Sequence, residues 1–271
     1  MPPSAPPIVQ FDAVEKRYGE GPLVLDRISF QVQRGDFVAL IGPSGCGKST
    51  ILKLIAGLSP LSGGRASVDG MAPENAAEEL GFVFQDPTLL PWLTALRNVE
   101  MPLRLRRYDA RERREIAQRR LALVGLADRA EAYPRQLSGG QKMRVSIARA
   151  LSVSPKILLL DEPFGALDEM TRNHLNEELL AIRQQDAWTA FFVTHSVAES
   201  VFLSNRIFVL SANPGRLHRE VVVDLPYPRT EETRLSPEYQ RQVGEVSHLL
   251  RSVERGGAEP ARASLSPTTT P

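Results

Sequence analysis

The sequence predicts an α/β fold in which a mainly parallel sheet is covered by helices on both faces. Short apolar strands alternate with helical patterns along most of the chain, which is typical of parallel sheets. Residues 42–50 fit the spacing G-x-x-x-x-G-K-[S/T] between a predicted strand and a predicted helix. An arginine-rich stretch from 88 to 155 lacks strand signals and indicates a helical insertion into that core.

The region ahead of the glycine-rich loop predicts an antiparallel sheet. Residues 1–7 carry four prolines and are predicted to be disordered. In residues 8–32, Ile28, Phe30 and Val32 fall on one face, as in a half-buried strand. After the loop and its helix, the glycines in residues 63–64 and 69–70 predict turns. Residues 80–84 predict another buried strand.

The glycine-rich loop has the residues and the context of a phosphate site, the P-loop. Its glycines allow the backbone to curl round an anion, and the helix start directs free N–H groups at it. Lys48 adds a cation for the β- and γ-phosphates, and Ser49 offers a hydroxyl to Mg²⁺. The alternative, a glycine-rich turn with a chance lysine, lacks the strand–loop–helix context. The candidate binding residues are Gly42, Pro43, Ser44, Gly45, Cys46, Gly47, Lys48, Ser49 and Thr50.

The rest of the chain predicts two helices in the insertion, at residues 112–124 and 138–152, before the core resumes. Strands are predicted at 157–160, 190–194, 206–210 and 220–224, with a helix around Leu175 and a short one near Val197. Ser236 and Pro237 predict the start of a C-terminal helix over 236–252. Residues 8–225 are therefore the predicted main domain, 226–254 a helical extension and 255–271 a disordered tail.

Two further strings carry chemistry. Asp161 and Glu162 end an apolar strand at the sheet edge where ligands bind in open α/β sheets. Asp161 is suited to hold Mg²⁺, and Glu162 to polarise a water aimed at a γ-phosphate. Ser138, Gly139, Gly140 and Gln141 begin a helix, where an N-cap and exposed N–H groups predict a second anion site. A plain acidic turn and a plain helix cap are the respective alternatives.

Together these motifs resemble the ATP-binding subunit of an ATP-binding cassette (ABC) transporter. The order and spacing match from about residue 8 to 225, and the string Leu137-Ser-Gly-Gly-Gln141 is the specific element. The resemblance implies a P-loop NTPase (RecA-like) core with an N-terminal antiparallel β-subdomain and an inserted α-helical subdomain. It also implies an Mg-dependent ATPase that uses ATP and Mg²⁺.

The resemblance implies roles for four more residues. Tyr18 would stack on adenine; an ordinary strand-end aromatic is the alternative. Gln85 would contact Mg²⁺ or the attacking water, and His195 would bridge the γ-phosphate and Glu162; a polar turn residue and a structural histidine are their alternatives. Asp168, in the string Ala166-Leu-Asp168, would contact a second subunit, or serve as an N-cap, or both. The candidate catalytic residues are thus Glu162, His195, Gln85 and Lys48, and the metal ligands Ser49, Gln85 and Asp161.

The resemblance further implies partners. Two copies would pack head to tail with ATP between the P-loop of one and Ser138–Gly140 of the other, most simply as a homodimer. Two transmembrane permease subunits would bind the pair at the cytoplasmic face of the membrane, and a solute-binding protein would act indirectly. The clustered Leu89, Leu90, Trp92 and Leu93 would line a groove for a short permease helix, or pack within the insertion.

The strings Phe82–Trp92 and Asn213–Gly215 also resemble importer ATPases for nitrate, sulfonate, taurine and pyrimidine-type compounds. Two alternatives belong to other classes: an ABC ATPase acting on ribosomes or DNA, and a non-hydrolysing regulatory module. The first usually has two cassettes or long coiled-coil insertions, and the second a broken motif. Neither feature is present in the 271 residues.

Composition and charge limit the kinds of partner that the chain is expected to have. The net charge of +1 predicts no nucleic acid partner, and the arginines of residues 104–120 predict a solvated helix face or a contact with anionic head groups. No apolar run approaches the roughly 18 residues that cross a bilayer. Cys46 is the only cysteine. Since it lies beside Lys48 and a helix start, a lowered thiol pKa and ATP-protected alkylation are expected; an inert loop filler is the alternative.

Overall fold

The computed structural model describes residues 5–186 and 188–255, which form nine strands and eight α-helices. The strands are β1 (Val9–Arg17), β2 (Leu23–Val32), β3 (Phe37–Ile41), β4 (Gly63–Val68), β5 (Leu80–Val83), β6 (Ile157–Asp161), β7 (Thr189–Val193), β8 (Arg206–Ser211) and β9 (Arg216–Val222). The helices are α1 (Lys48–Ile55), α2 (Ala95–Leu105), α3 (Ala110–Leu123), α4 (Gly139–Leu151), α5 (Glu169–Gln185), α6 (Val197–Leu203), α7 (Glu231–Leu235) and α8 (Pro237–Glu254). Single 3₁₀ turns lie at Pro73–Asn75, Ala77–Glu79, Ala127–Arg129 and Pro134–Gln136.

The larger sheet has six strands in the order β5-β6-β7-β3-β8-β9. All neighbours are parallel except β8 and β9. Because β3 and β6 run parallel, their carboxyl ends open at one edge, where the glycine-rich loop and Asp161 follow. The predicted mainly parallel α/β sheet is therefore confirmed.

Side chains of β3 alternate between two cores, as a strand buried on both faces requires. Phe37, Ala39 and Ile41 pack with helices of the insertion and with α5, α6 and α8. Val38 and Leu40 pack with α1 and the antiparallel strands. The central strand is thus covered on both sides, which holds its end and the loop after it in one place.

The smaller sheet is antiparallel, in the order β2-β1-β4, as predicted for its first two strands. Phe11 pairs with Phe30, and their rings stack with centroids 4.6 Å apart. The third strand, β4, was not predicted, since Gly63 and Gly64 were taken to mark a turn. Gly64 instead lies within the strand at φ +77, where an added Cβ would lie 2.2 Å from the carbonyl oxygen of Ala13. Glycine here permits close approach of two strands.

Three α-helices, α2, α3 and α4, lie between residues 88 and 155. The last two match the predicted helices to within two residues. The first was missed, because Pro102 lies inside it and its apolar residues are interrupted by arginines. Ala95, Leu96, Val99 and Leu103 are nonetheless buried at helical spacing. That residues 88–155 form an inserted helical subdomain with these bounds remains a prediction.

The C-terminal extension packs on α6. The predicted last helix is present as α8, whose Tyr239 and Val246 are buried. Arg229 is 3 % exposed and donates to the carbonyl oxygens of Val201, Phe202 and Ser204 at 2.8–2.9 Å. These bonds satisfy the carbonyls that a helix end leaves free.

Two sequence predictions for this half of the chain are corrected. The short helix α7 was missed, and the last strand lies at Arg216–Val222 rather than 220–224. Its register against β8, with Val222 opposite Arg206, fixes those bounds. Residues 1–4 and 256–271, part of the predicted disordered ends, lie outside the described residues. No described helix is both long and apolar enough to cross a bilayer.

Candidate functional site

The P-loop joins the fully buried strand β3 to helix α1. Gly42, Gly45 and Gly47 take positive φ angles of 157, 79 and 94. Gly47 is the N-cap of α1 in a left-handed conformation, with no side-chain cap and no acidic residue in the first turn. The first N–H groups of the helix and its positive dipole end therefore face the loop without a competing anion. Pro43, Ser44, Cys46, Ser49 and Thr50 complete the loop and the first turn.

Lys48 is turned into the loop rather than into solvent. The residue is 5 % exposed, and its Nζ donates to the carbonyl oxygens of Gly42 at 3.0 Å and Pro43 at 3.2 Å. A buried ammonium group needs such partners. The cation is thereby held within the curl of the backbone, where an anion bound by the loop would meet it.

Ser49 and Asp161 meet across the sheet edge. The Ser49 hydroxyl donates to Oδ1 of Asp161 at 2.8 Å. Burial raises the pKa of Asp161, the neighbouring charge of Glu162 raises it further, and the Ser49 hydrogen bond opposes both. A hydroxyl and a carboxylate at this spacing are the oxygen ligands that Mg²⁺ prefers, with waters and phosphates filling the other positions. The donor set fits the ion.

Glu162 and His195 form a close pair. Nε2 of His195 lies 2.7 Å from Oε1 of Glu162, and the Glu162 backbone N–H donates to the carbonyl oxygen of Val193 at 3.0 Å. Glu162 has a φ of +49, a conformation that non-glycine residues seldom adopt. Strain of this kind clusters at functional sites. The turn after β6 thus directs the carboxylate toward the histidine that follows β7.

Gln85 lies on the same side of the sheet. Together with Glu162 and His195 it lines a cavity of about 280 Å³, whose other walls are Gly165, Arg172, Thr194, Ser196 and Glu199. The structure therefore brings four predicted groups to one edge: the P-loop, Asp161, the Glu162–His195 pair and Gln85.

The string 138–141 forms a separate structure at the start of α4. The Ser138 hydroxyl accepts from the Gln141 N–H at 3.2 Å, and Oε1 of Gln141 accepts from the Ser138 N–H at 3.0 Å. This reciprocal pattern is a capping box. Ser138, Gly140 and Gln141 line a second cavity of about 280 Å³ with Arg129 and Arg144. Its hydrogen bonds are local, and its lining does not include the P-loop.

Tyr18 and Asp168 lie next to the ends of regular elements, Tyr18 directly after β1 and Asp168 directly before α5. Tyr18 follows β1, is 49 % exposed, and has Nζ of Lys16 4.7 Å from its ring centroid. Oδ1 of Asp168 accepts from the Thr171 N–H at 2.9 Å, which caps α5 and lowers the carboxyl pKa. The N-cap alternative for Asp168 is therefore correct. Its contact with a second subunit and the stacking role of Tyr18 stay predictions.

The apolar segment after Gln85 divides between the core and the surface. Leu89 packs against the helical core, whereas Trp92 is 70 % exposed. Leu93 lines a cavity of about 400 Å³. The other lining residues come from α2 and α3 and are mostly charged: Arg97, Glu100, Met101, Arg104, Ala110, Arg113 and Arg114. Leu89 thus packs within the insertion, as one alternative predicts, and the role of the exposed part of the segment as a groove for a permease helix stays a prediction.

Two residues that the sequence reasoning missed hold this segment in shape. Asn98 is fully buried, and its amide bonds to the backbone of Leu90 and Leu93 at 2.8–3.2 Å. Arg149 donates to the carbonyl oxygens of Pro87 and Thr88 at 2.9 and 2.8 Å. An asparagine in the apolar stripe of a helix was the available signal for the first. The loop between Gln85 and α2 is thereby fixed on both sides.

The expectation of a reactive Cys46 thiol is wrong. The residue is fully buried, and burial raises its pKa although Lys48 opposes the rise. Nζ of Lys48 lies 3.9 Å from Sγ, yet desolvation of the thiolate outweighs that attraction. Cys46 fills the space under the loop, which agrees with the alternative of an inert loop filler.

Comparison with known proteins agrees with this geometry. Residues 25–165 match a family model described as ABC transporter. A Brucella abortus (strain 2308) protein named as an ATP-binding protein is 48% identical, covering 90% of this chain and 94% of its own length. The aliphatic sulfonates import ATP-binding protein SsuB of Bacillus cereus is 42% identical over 92% of this chain and 97% of its own.

Solved structures show the same fold. A dimeric ATP-binding cassette in a post-hydrolysis state bound to ADP and Pi has a TM-score of 0.71 and 34% identity, covering 80% of this chain and 100% of that one. The cbiO1 protein of Clostridium perfringens, part of an ABC transporter complex, has a TM-score of 0.76 and 25% identity over 91% of this chain and 100% of its own. The resemblance stated from the motifs is confirmed: this chain belongs to the ABC transporter family, with the fold of its ATP-binding cassettes.

Proposed function

We propose that this chain binds and hydrolyses Mg-ATP and, as one of a pair, powers an importer of a small solute. The observation that carries the proposal is the convergence of Lys48, the Ser49–Asp161 pair and the Glu162–His195 pair at one sheet edge. A phosphate cradle, a magnesium donor set and a base held by a histidine are the parts that phosphoryl transfer to water requires.

Each group has a defined task in the reaction. The open N–H groups of α1 and the Lys48 ammonium bind the β- and γ-phosphates. Ser49 and Asp161 would hold Mg²⁺, which when bound neutralises phosphate charge. Glu162 accepts a proton from water as the water oxygen attacks the γ-phosphorus, and the bond from the γ-phosphorus to the bridging oxygen breaks to release ADP and phosphate. His195 holds Glu162 and donates to the γ-phosphate, and Gln85 positions the water.

The start of α4 supplies the second half of the site in a neighbouring chain. Ser138 and the Gly139–Gly140 backbone offer an uncharged anion-binding helix start with Arg129 and Arg144 beside it. No residue of the same chain's P-loop lines this cavity, so the occupant we assign to it is the γ-phosphate of a nucleotide carried by a partner copy. ATP then joins two chains through charge-assisted hydrogen bonds, and hydrolysis releases them.

The groove beside Trp92 is the proposed contact with the transmembrane subunits. A cavity of about 400 Å³ lined by Leu93, Met101, Glu100 and four arginines suits a short helix with an apolar face and acidic ends. The chain would then lie at the cytoplasmic face of the membrane, and a solute-binding protein would act through the permease. Relatives named for sulfonate import and, in Synechocystis, for nitrate import favour nitrate, sulfonate, taurine or a related solute. They favour transport over work on ribosomes or DNA.

A Glu162→Gln variant tests the catalytic proposal. The amide keeps the shape of the side chain but cannot accept the proton, so Mg-ATP should capture a dimer that ADP does not. Light scattering coupled to size exclusion measures the captured mass, and the wild-type chain with ATP and with ADP is the control. The proposal fails if the variant remains monomeric at saturating Mg-ATP even alongside its membrane partner.

A Trp92→Ala variant tests the docking groove. Removing the exposed ring should uncouple solute uptake while basal ATPase remains, because Trp92 does not line the cavity of Gln85, Glu162 and His195. Uptake into vesicles and phosphate release are measured on the same reconstituted complex. Val222→Ala is the matched control, since Val222 is 70 % exposed, as Trp92 is, but lies on β9, an edge strand of the larger sheet. Equal uptake by the two variants would contradict the assignment.

A further inference from the structure

The turn that carries His195 is held from beneath by a buried hydroxyl. Thr194 follows the last residue of β7 and is 4 % exposed. Its Oγ1 accepts from the Ser196 N–H at 3.0 Å and donates to Oε2 of Glu199. The hydroxyl therefore ties Thr194 to two residues beyond His195, and His195 lies in the turn between Thr194 and Ser196.

The side chain of Glu199 is buried to a degree that is unusual for a carboxylate with a structural role alone. It lies in the first turn of α6, is 5 % exposed, and its N–H donates to the Ser196 hydroxyl at 3.2 Å. Its Oε1 is buried and has no hydrogen-bond partner among the residues that the structure describes. A carboxylate in this position costs free energy unless nearby cations compensate it.

Arg172 offsets part of that cost from another helix. Burial raises the pKa of the Glu199 carboxyl, and the Thr194 hydrogen bond together with the charges of Arg172, on α5, and Arg234 opposes that rise. Arg172 also donates through NH2 to the carbonyl oxygen of Leu167 at 2.7 Å, in the turn just before Asp168. Arg172 and Glu199 line the same cavity as Glu162 and His195. Arg172 is thus bonded to the turn before Asp168 and lines the same cavity as the turn that carries His195.

We propose that Thr194, Glu199 and Arg172 form a positioning unit, which holds the His195 turn against the Asp168 turn and so fixes His195 for the γ-phosphate. The role assigned to each of the three is to position His195, and none of them is assigned a bond to the nucleotide. The inference rests on the proposed function, since it assumes that His195 acts on ATP. If the Asp168 turn meets a second subunit, the unit also carries that contact to the histidine.

Paired threonine variants of the full-length chain test the proposal. Thr194→Val removes only the hydroxyl, Thr194→Ser retains it, and Thr189→Val is the matched control. Thr189 is the first residue of β7, is 1 % exposed, and its hydroxyl accepts from the Gly35 N–H at 3.0 Å, at the opposite end of the same strand. Thermal unfolding of both valine variants measures their common structural cost.

The expected result is a change in kcat without a change in nucleotide affinity. Thr194→Val should lower kcat about tenfold or more, because small misplacements of a catalytic group are costly, with KM for Mg-ATP changed by less than about twofold. Thr194→Ser and Thr189→Val should remain within about twofold of wild type. If Thr194→Val does not fold, Glu199→Gln, which keeps an acceptor for Thr194 but removes the charge facing Arg172, should produce the same selective loss of kcat.

A spectroscopic readout separates this proposal from the proposed function. The ring ¹⁵N signals of His195, assigned by their absence in His195→Gln, report its bond to Glu162 without any hydrolysis. They should shift in Thr194→Val and stay in place in Thr189→Val. Unshifted signals and a wild-type kcat in Thr194→Val overturn the positioning unit alone. A wild-type chain that does not hydrolyse ATP overturns the proposed function, whatever the histidine signals show.

Discussion

The starts of helices α1 and α4 both follow glycine-bearing turns, but they are built in opposite ways. Helix α1 begins after Gly47 with no side-chain cap, and a buried lysine stands in its first turn. Helix α4 begins after Ser138 with a complete capping box. In the first, the N–H groups are open and a cation is beside them. In the second, two of the donors are already satisfied within the turn, and Lys142, the fourth residue of the helix, is only half-buried, unlike Lys48.

This difference indicates which site binds first. An open helix start with a resident cation binds an anion by itself, since both the dipole and the charge favour it. A capped start gains less from an anion, because the incoming group must compete with bonds that exist already. We infer that one chain binds nucleotide at α1 alone, and that α4 contributes only when a second chain brings the phosphate to it.

Lys48→Met should have the largest effect of the variants that test this comparison, because it removes the cation at the start of α1. The methionine cannot donate to an anion, so Mg-ATP affinity of the isolated chain should fall about 10- to 100-fold, the worth of roughly 1.5–3 kcal/mol for hydrogen bonds to a charged group. Isothermal titration calorimetry measures it. Lys53→Met removes the same charge from an exposed position on the same helix and should bind as wild type. Equal loss in both variants would mean that only net charge matters.

Glycine replacements at the two helix starts should have the next largest difference in effect. Gly47 has a φ of +94, and an added Cβ would lie 2.4 Å from Cδ2 of the buried Leu25. Gly47→Ala should therefore destabilise the fold by about 1–3 kcal/mol. Gly139, at the start of α4, meets nothing closer than Cδ2 of Leu167 at 3.5 Å. Gly139→Ala should leave the midpoint of thermal unfolding unchanged or slightly raised; a loss equal to that of Gly47→Ala would contradict the steric reasoning.

Local sequence patterns predicted most of the candidate site around the start of α1. The glycine spacing, the apolar runs of β3 and β6 and the two carboxylates at the end of β6 are all short-range signals. The sheet order and the Glu162–His195 pairing depend on which strands become neighbours, a long-range property. His195 could be placed only through the resemblance, because a histidine after an apolar strand has no distinctive local pattern.

The incorrect or missing predictions have a common physical cause: whether a residue is buried depends on segments that are distant in the sequence. Proximity to Lys48 and a helix start predicted a reactive Cys46, but packing around the loop excludes water and reverses the direction of the pKa shift. Gly64 was assigned to a turn because its role as a point of strand contact needs β1 beside it. Thr194 and Glu199 were overlooked because their importance comes from Arg172 on another helix.

Ser138→Ala tests the α4 side and should have the smallest effect on the isolated chain. Loss of the N-cap acceptor should cost about 1 kcal/mol of stability, while Mg-ATP affinity of the single chain stays unchanged, because the P-loop is untouched. In the Glu162→Gln background, dimer capture should weaken by about tenfold or more, since the hydroxyl can no longer bond to the partner's phosphate.

Ser236→Ala is the matched control for that variant. Ser236 is the N-cap of α8, and its hydroxyl accepts from the Tyr239 N–H at 3.2 Å, the same distance as the Ser138–Gln141 bond. Both variants should lose similar stability, measured by thermal unfolding, yet only Ser138→Ala should shift the monomer–dimer equilibrium at saturating Mg-ATP, measured by sedimentation. If Ser236→Ala weakens the dimer as much, the effect belongs to helix capping in general. The start of α4 would then be a structural cap and no part of the nucleotide site.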